Sequence, residues 1–430
     1  MIAKEKWAEA IKDFHEKKLP DIIERKVNIP VQMPLRRAIS IIGPRRAGKT
    51  YTMFQIIKSL MKQNAKDRVL YLNLERTDLE GANSGDLHSL MDTYYEMHPK
   101  NKSKKVWLFL DEIQNAEKWE KFVRAVIDHE NVQVFLSGSS SKFLSREIAT
   151  SMRGRTLTYV ILPFSFSEFL AAKKIRAEKY MSKSEKSILI NSFNEYLKNG
   201  GYPEAVIYPQ ERDKILLDIV ETTIYRDVLE RNKIRNTKLL KILIRSLIGS
   251  VAKEFSIHKF YNFMKSTGMK VSKNTIYNYV EELNNVFFVF PLRKFSYSYR
   301  ETEQSLPKIY LIDNGILTLN GINDYGKIME NFVFIELTRR MKNVYYYRSV
   351  DGKEVDFVIL KNKKVVELIQ VAYSMDDLST RDREIKSLLK ASKELRCKNL
   401  TIVTNDREGI ETVKNNKIRI IPLWKWVLQE

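Results

Sequence analysis

Hydrophobic and polar positions alternate in blocks along this chain. The opening stretch "MIAKEKWAEAIKDFHEKK" has the spacing of a charged amphipathic helix. Four short apolar runs then read as buried strands. Ile39, Ile41 and Ile42 mark the first, and "RVLYLNLE" at residues 68–75 the second. Val106 to Leu110 is the third, and the run "VQVFLSGSSSKF" holds the fourth, ending at Ser137. A helix pattern, "TYTMFQIIKSLMKQ", follows the first strand. Buried strands alternating with helices predict an α/β fold built on a parallel sheet.

Beyond residue 165 the pattern turns helical as far as residue 236. Gly200-Gly201 stops one helix, and a long amphipathic stretch starts near residue 211. This predicts a helical lid or connector. Residues 237–321 predict three helices, the second capped by Ser256 and the third by Ser272. Ile276, Tyr279, Val280 and Leu283 mark the apolar face of the third. The runs "VFFVFPLRKFSYSYR" and "LPKIYLID" then predict a hairpin, which completes a winged-helix order. Residues 322–430 read as helix, three strands, helix, strand, with Asp351-Gly352 turning the first two strands.

The loop after the first strand carries the clearest chemistry. Gly43-Pro44-Arg45-Arg46-Ala47-Gly48-Lys49-Thr50 satisfies G-x-x-x-x-G-K-[ST] at every required position. The glycines let the backbone curl its N–H groups toward a phosphate, and the following helix adds its positive end. These residues, with the adjacent Tyr51, are the nucleotide-binding candidates. Lys49 is expected to reach the β- and γ-phosphates and the Thr50 hydroxyl to ligate Mg²⁺. About sixty residues on, the third strand ends in Asp111-Glu112. Asp111 is expected to hold Mg²⁺ through water, and Glu112 to orient and deprotonate an attacking water. Ser137, with Ser139 as the alternate, is the candidate for sensing the γ-phosphate; the plainer reading is that these serines cap a helix. Arg153 and Arg155 are candidates to touch a γ-phosphate, within the chain or from a neighbouring subunit, and structural arginines otherwise.

The stretches "IIGPRRAGKT", "LFLDEIQNAEKWE", "LSGSSSKFLSREIATSMRGR", "LPFSFSEFL" and "GGYPEAV" resemble a family of prokaryotic ATPases common in archaea. That family belongs to the AAA+ superfamily and carries a C-terminal domain of unknown function. The resemblance covers most of the chain. It implies ATP binding by a Mg²⁺-dependent ATPase core at residues 1–165, and it puts Gly154-Arg155 on the family's Gly-Arg pair. It does not define a cellular role.

Charge adds a candidate partner. The chain of 430 residues has a net charge of +21. Residues 231–310 alone hold 15 Lys and Arg against 5 Asp and Glu, nearly half the surplus in under a fifth of the length. Such a localised excess points to a polyanion, most often nucleic acid. In the winged-helix reading Lys273, Asn274 and Tyr277 face outward from the third helix, and Lys265, Lys270, Arg293, Lys294 and Arg300 are placed to meet phosphates. The plainer reading is a winged helix that packs on protein. No apolar run is long enough to span a membrane, the start lacks a signal-peptide core, and the single Cys397 suits a reducing cytoplasm.

The last segment poses a separate question. Its element order resembles the restriction-endonuclease-like fold, which cleaves DNA with an Asp on the second strand and a Glu-x-Lys triplet on the third. Asp356 matches the Asp, while the triplet position reads Gln370-Val371-Ala372. Gln is a weak Mg²⁺ ligand, and Ala372 cannot steady a developing charge. Glu367 falls on the opposite face, Glu330 lies on the preceding helix, and Lys386 is the only replacement lysine in view. The expectation is a degenerate nuclease scaffold around Glu330, Asp356 and Gln370 that binds DNA or protein without cutting.

The combined expectation is a cytoplasmic ATPase that uses ATP and Mg²⁺ and acts on double-stranded DNA, non-specifically or by structure. It needs no membrane, and forms a homo-oligomer if an arginine acts across subunits. Two other classes stay open: a slow nucleotide-dependent switch that recruits a protein, and an ATP-gated, metal-dependent nuclease.

Overall fold

The computed structural model describes residues 2–429 except 34, 64, 139–151, 153, 179, 233 and 235. Ser139 and Arg153 therefore lie outside the described residues. The chain divides into two compact units, residues 1–162 and 163–430.

The first unit is built on five strands: β1 Ala38–Ile42, β2 Val69–Asn73, β3 Val106–Asp111, β4 Val132–Gly138 and β5 Thr156–Val160. They lie in the order β2-β3-β4-β1-β5 with every neighbouring pair parallel. Successive side chains of a strand point to opposite faces, and both faces are covered, which is why the strands read as unbroken apolar runs. In β3, Leu108 and Leu110 join Trp7, Leu87 and Phe122 in one core layer. Trp107 and Phe109 join Ile39, Met53 and Ile57 in the other, where the Phe109 and Phe135 rings stack with centroids 4.4 Å apart. Helices α1 (Lys4–Glu16), α3 (Ser84–Met97) and α4 (Trp119–His129) supply the first layer, and α2 (Lys49–Met61) the second. Because the strands are parallel, β1, β3 and β4 all end on one edge, where ligands of open α/β sheets bind.

The second unit begins with helices α5 (Phe166–Ala172), α6 (Lys183–Asn199), α7 (Pro203–Ile207) and α8 (Arg212–Thr222), the last running on through a π-helical stretch, Thr223–Glu230. Gly200 ends α6 at φ 82°, and a Cβ there would lie 1.8 Å from the Asp313 carboxylate, so only glycine fits. Helices α9 (Thr237–Gly249), α10 (Ile257–Ser266) and α11 (Lys273–Asn285) follow. The hydroxyls of Ser256 and Ser272 accept the N–H groups of Lys259 and Thr275, capping α10 and α11 as the sequence predicts. Strands β6 (Val289–Leu292) and β7 (Lys308–Leu311) pair antiparallel, with helix α12 (Tyr299–Gln304) in their connection. β7 is buried along its whole length, so this pair forms part of the core instead of an exposed wing.

After α13 (Asn314–Leu319) and α14 (Tyr325–Arg339) comes a mixed sheet in the order β12-β13-β11-β10-β9-β8. Strands β8 (Asn343–Arg348), β9 (Glu354–Lys361) and β10 (Lys364–Ala372) are antiparallel neighbours. Helix α15 (Leu378–Leu395) carries the chain over to β11 (Leu400–Thr404), parallel to β10. A further hairpin, β12 (Gly409–Val413) with β13 (Asn416–Pro422), extends the sheet beyond the four strands read from the sequence.

Gly43 is the tightest point of the first unit. Its φ is 149°, and a Cβ would sit 1.9 Å from the carbonyl oxygen of Ile161, itself fixed by its N–H bond to Ile42. Gly43→Ala is expected to destabilise the first unit by about 2–4 kcal/mol in denaturant unfolding. Gly154→Ala, also at positive φ but beside open space, is expected to cost only about 1–2 kcal/mol. Equal effects would mean that the contact with Ile161 does not constrain the loop.

Candidate nucleotide site

The phosphate loop leaves β1 and enters α2, with Gly48 at φ 97° just before the helix. On one side of β1 lie β4 and, one strand further, β3. Register places Ile41 beside Ser137 and Asn73 beside Asp111, so the strand ends that carry Gly43, Asp111 and Ser137 meet.

Asp111 is the centre of the site and has no exposure to solvent. Its carboxylate accepts the Thr50 hydroxyl at 2.7 Å and the Tyr71 hydroxyl at 2.8 Å through Oδ2, and the Ser137 hydroxyl through Oδ1. A buried polar group needs hydrogen-bond partners in water's place, and three hydroxyls supply them here. Burial and the Asp111 charge push the Tyr71 hydroxyl well above its ordinary pKa, so it stays a donor at neutral pH. Glu112 follows in the left-handed region, φ 51°, and its N–H donates to Ser137 Oγ at 2.9 Å. One serine hydroxyl thus holds both acidic residues. The Glu112 side chain accepts from Gln114 and lies 3.8 Å from the Lys49 ammonium, which is buried over the loop and donates to the carbonyls of Gly43 and Pro44. Thr50 and Asp111, hydroxyl against carboxylate beside a buried ammonium, form an oxygen donor pair suited to a hard divalent cation next to a phosphate.

The other sequence-predicted residues of this unit divide. Arg45 reaches Glu75 at 3.5 Å, Arg46 is exposed at φ 60°, and Tyr51 is exposed on α2. Arg155 lies at the far edge of the sheet. Its carbonyl accepts the Ala38 N–H at the start of β1, and its guanidinium pairs with Asp128 at 2.7 Å. The length of β1 separates it from its own phosphate loop by about 16 Å. At that distance Arg155 does not reach its own loop, and Arg153 lies outside the described residues.

Two contributors escaped the sequence reading. Tyr71 looked like one more apolar position of a buried strand. Arg25 lies in an irregular segment with no periodicity, yet it is buried, and it donates to the carbonyls of Ala47 and Leu162, both at 2.6 Å. It braces the back of the phosphate loop against the chain leaving β5.

In the second unit, Lys265, Lys270, Lys273, Asn274 and Tyr277 are all exposed on α10, α11 and the turn between them, with Phe263 beside them. Arg300 is exposed on α12. Lys294 is half-buried, and Arg293, also partly exposed, donates to the Ser305 carbonyl at 3.1 Å and lies 3.9 Å from Glu303. Glu330, Asp356 and Gln370 do come together, but around a residue the sequence reading assigned elsewhere. The ammonium of Lys308, from β7, lies 3.0 Å from Glu330, 2.5 Å from Glu354 and 3.2 Å from Asp356. The Gln370 side chain accepts the Asp356 N–H and donates to Glu384 at 2.6 Å. Lys386, the expected replacement lysine, points to solvent near Asp382. Burial, then Asp356, raises the Glu330 carboxyl to about 7, and burial raises Asp356 as well.

The first unit thus defines a P-loop AAA+ protein: a parallel sheet in the order β2-β3-β4-β1-β5, the loop on β1 and the acidic pair on β3. Comparison with known proteins agrees. The profile of the AAA domain matches residues 35–170. Two domains of unknown function follow, DUF8612 over residues 190–325 and DUF4143 over residues 325–426. An uncharacterized protein of Methanocaldococcus jannaschii is 40% identical over 90% of this chain and 87% of its own. One from Haemophilus influenzae is 30% identical over 78% and 82%. The chain belongs to this family of archaeal-type AAA+ ATPases with a C-terminal DUF4143 domain. Among solved structures, the Aeropyrum pernix ORC1 protein in complex with DNA overlaps 78% of this chain and 93% of its own at 12% identity, with a TM-score of 0.30. That overlap is too weak to carry any functional argument.

Tyr71→Phe keeps the ring and removes one donor from Asp111. It is expected to destabilise the first unit by about 1.5–3 kcal/mol in urea unfolding. A variant as stable as the parent would show that the phenol does not hold the carboxylate.

Proposed function

We propose that the chain hydrolyses ATP with Mg²⁺ at the phosphate loop, and that its second unit engages double-stranded DNA. The observation that carries the first part is the convergence on Asp111 of Thr50, Ser137 and, through the Ser137 hydroxyl, Glu112. Residues 43–50 cradle the phosphates with backbone N–H groups, and Lys49 balances charge on the β- and γ-phosphates. Thr50 and Asp111 are the residues that would hold Mg²⁺, which supplies charge neutralisation between the phosphates. Glu112 takes the proton of the attacking water. Ser137 acts as a positioning residue, since its hydroxyl is already committed to Asp111 and Glu112. Arg155, remote from its own loop, serves a nucleotide only in a neighbouring copy, which makes turnover depend on assembly.

The DNA part rests on the exposed basic and aromatic face of α10 and α11. Lys265, Lys270 and Lys273 are exposed there together with Phe263 and Tyr277, and few acidic side chains dilute them. Such a face fits phosphates and sugars better than particular bases.

Steady-state ATP hydrolysis tests both parts. Lys49→Ala is expected to abolish turnover, and Glu112→Gln to bind ATP while kcat falls about 10²-fold or more. Double-stranded DNA at low salt is expected to raise the parent rate. Turnover that stays slow and indifferent to DNA would favour the nucleotide switch. Replacing Lys265, Lys270 and Lys273 together with Ala is expected to flatten the salt dependence of DNA binding by about 1 in log–log slope for each lysine on a phosphate. An unchanged slope would place the contact elsewhere.

A further inference from the structure

The nuclease-like arrangement of α14, β9 and β10 leads one to expect a divalent cation between Asp356 and its neighbours. The residues present do not fit one, because the place is taken. Lys308 is almost completely buried, and its ammonium is within 3.2 Å of three carboxylates from two elements, Glu330 of α14 and Glu354 and Asp356 of β9. Glu354 and Asp356 are two apart on one strand and so present to the same face. Tyr310, two residues after Lys308, donates to the same Glu330 oxygen at 2.7 Å. The Tyr346 ring lies 5.8 Å from the ammonium on another side.

The surrounding bonds are also complete. Asp356 Oδ2 accepts the Val371 N–H at 2.9 Å, Gln370 bridges Asp356 to Glu384, and Arg348 pairs with Glu354 and Glu254. An ammonium with three hydrogens meets three acceptors at hydrogen-bond distance, whereas Mg²⁺ needs oxygens at about 2.0–2.1 Å and several waters. Both cannot occupy the position. Burial pulls the ammonium's pKa down, but the surrounding carboxylates outweigh it and raise it well above the ordinary lysine value. Lys308 therefore stays charged. As the structure stands, with Lys308 in place, no group of three His, Cys, Asp or Glu among the described residues is disposed to hold a metal ion.

We propose that Lys308 is the resident cation of this carboxylate cage: it closes the nuclease-like domain to divalent metal ions, and its removal uncovers a metal site made of Glu330, Glu354 and Asp356. The lysine also ties β7 to both α14 and β9, so a single side chain joins the three-helix segment to the mixed sheet and keeps that sheet from acting as a metal-dependent nuclease. This inference is independent of the nucleotide site, which shares no residue with the cage.

The test uses the full chain without nucleotide, so that the phosphate loop does not recruit metal. Free Mn²⁺ is followed by electron paramagnetic resonance as protein is added. The parent is expected to leave millimolar Mn²⁺ free. Lys308→Ala is expected to take up one Mn²⁺ per chain and to melt at higher temperature when Mn²⁺ is present, and Lys308→Ala/Asp356→Asn to lose both effects. Lys308→Met keeps the length of the side chain without its charge, and serves if the alanine variant does not fold. Folded lysine variants that take up no Mn²⁺ would overturn the proposal. So would a parent protein that binds Mn²⁺, or nicks supercoiled plasmid in its presence, in a manner abolished by Asp356→Asn. The measurements on the parent decide the matter even if neither lysine variant folds.

Discussion

A carboxylate shut away from water is costly unless the fold supplies hydrogen-bond donors in water's place. Asp111 is such a group, and the architecture of the first unit follows from holding it. Its three donors come from three elements: Thr50 from α2, Tyr71 from β2 and Ser137 from β4. These meet because β4 lies between β1 and β3 and β2 flanks β3 on the other side. The parallel register then puts the phosphate loop at the same edge without a long connecting segment. Hydroxyls suit the task because each supplies a hydrogen-bond donor without adding a charge.

The remaining geometry follows from that anchor. Glu112 adopts a left-handed backbone that a glutamate rarely takes, and its N–H bond to Ser137 offsets the strain. The turn aims its carboxylate toward Lys49 instead of along the strand. Arg25 fixes the other side of the loop through Ala47, and Gly43 lets the backbone pass within contact of Ile161. The loop is therefore held on both sides by the protein's own contacts. The second unit meets a related problem differently. Three carboxylates crowd one interior position there, and a lysine fills it outright. One acidic site is held by hydroxyls, and the other encloses an ammonium.

Much of this was legible in the sequence where local pattern and local chemistry coincide. The phosphate loop, the acidic pair at the end of β3 and the serines that cap α10 and α11 are short contiguous motifs, so reading them needs no tertiary knowledge. Ser137 was found because it ends a strand at a predictable edge. What escaped depends on which elements become neighbours. Tyr71 belongs to the site only because β2 flanks β3. Arg25 sits in a segment without periodicity, and Lys308 opens a strand read as half of a hairpin wing, where no local pattern marks its ammonium as buried. Arg155 shows the converse: its place just before β5 was readable, yet the parallel register puts the start of β5 at the wrong edge for its own nucleotide.

The account stands on Asp111 as the residue through which a divalent cation joins nucleotide to protein. The most direct measurement is calorimetric titration of a non-hydrolysable ATP analogue with and without Mg²⁺, in the parent protein and in Asp111→Asn. The account predicts that Mg²⁺ tightens binding to the parent by about tenfold or more, while the folded variant binds the analogue with one affinity whether or not Mg²⁺ is present. An equal Mg²⁺ enhancement in both proteins would contradict it.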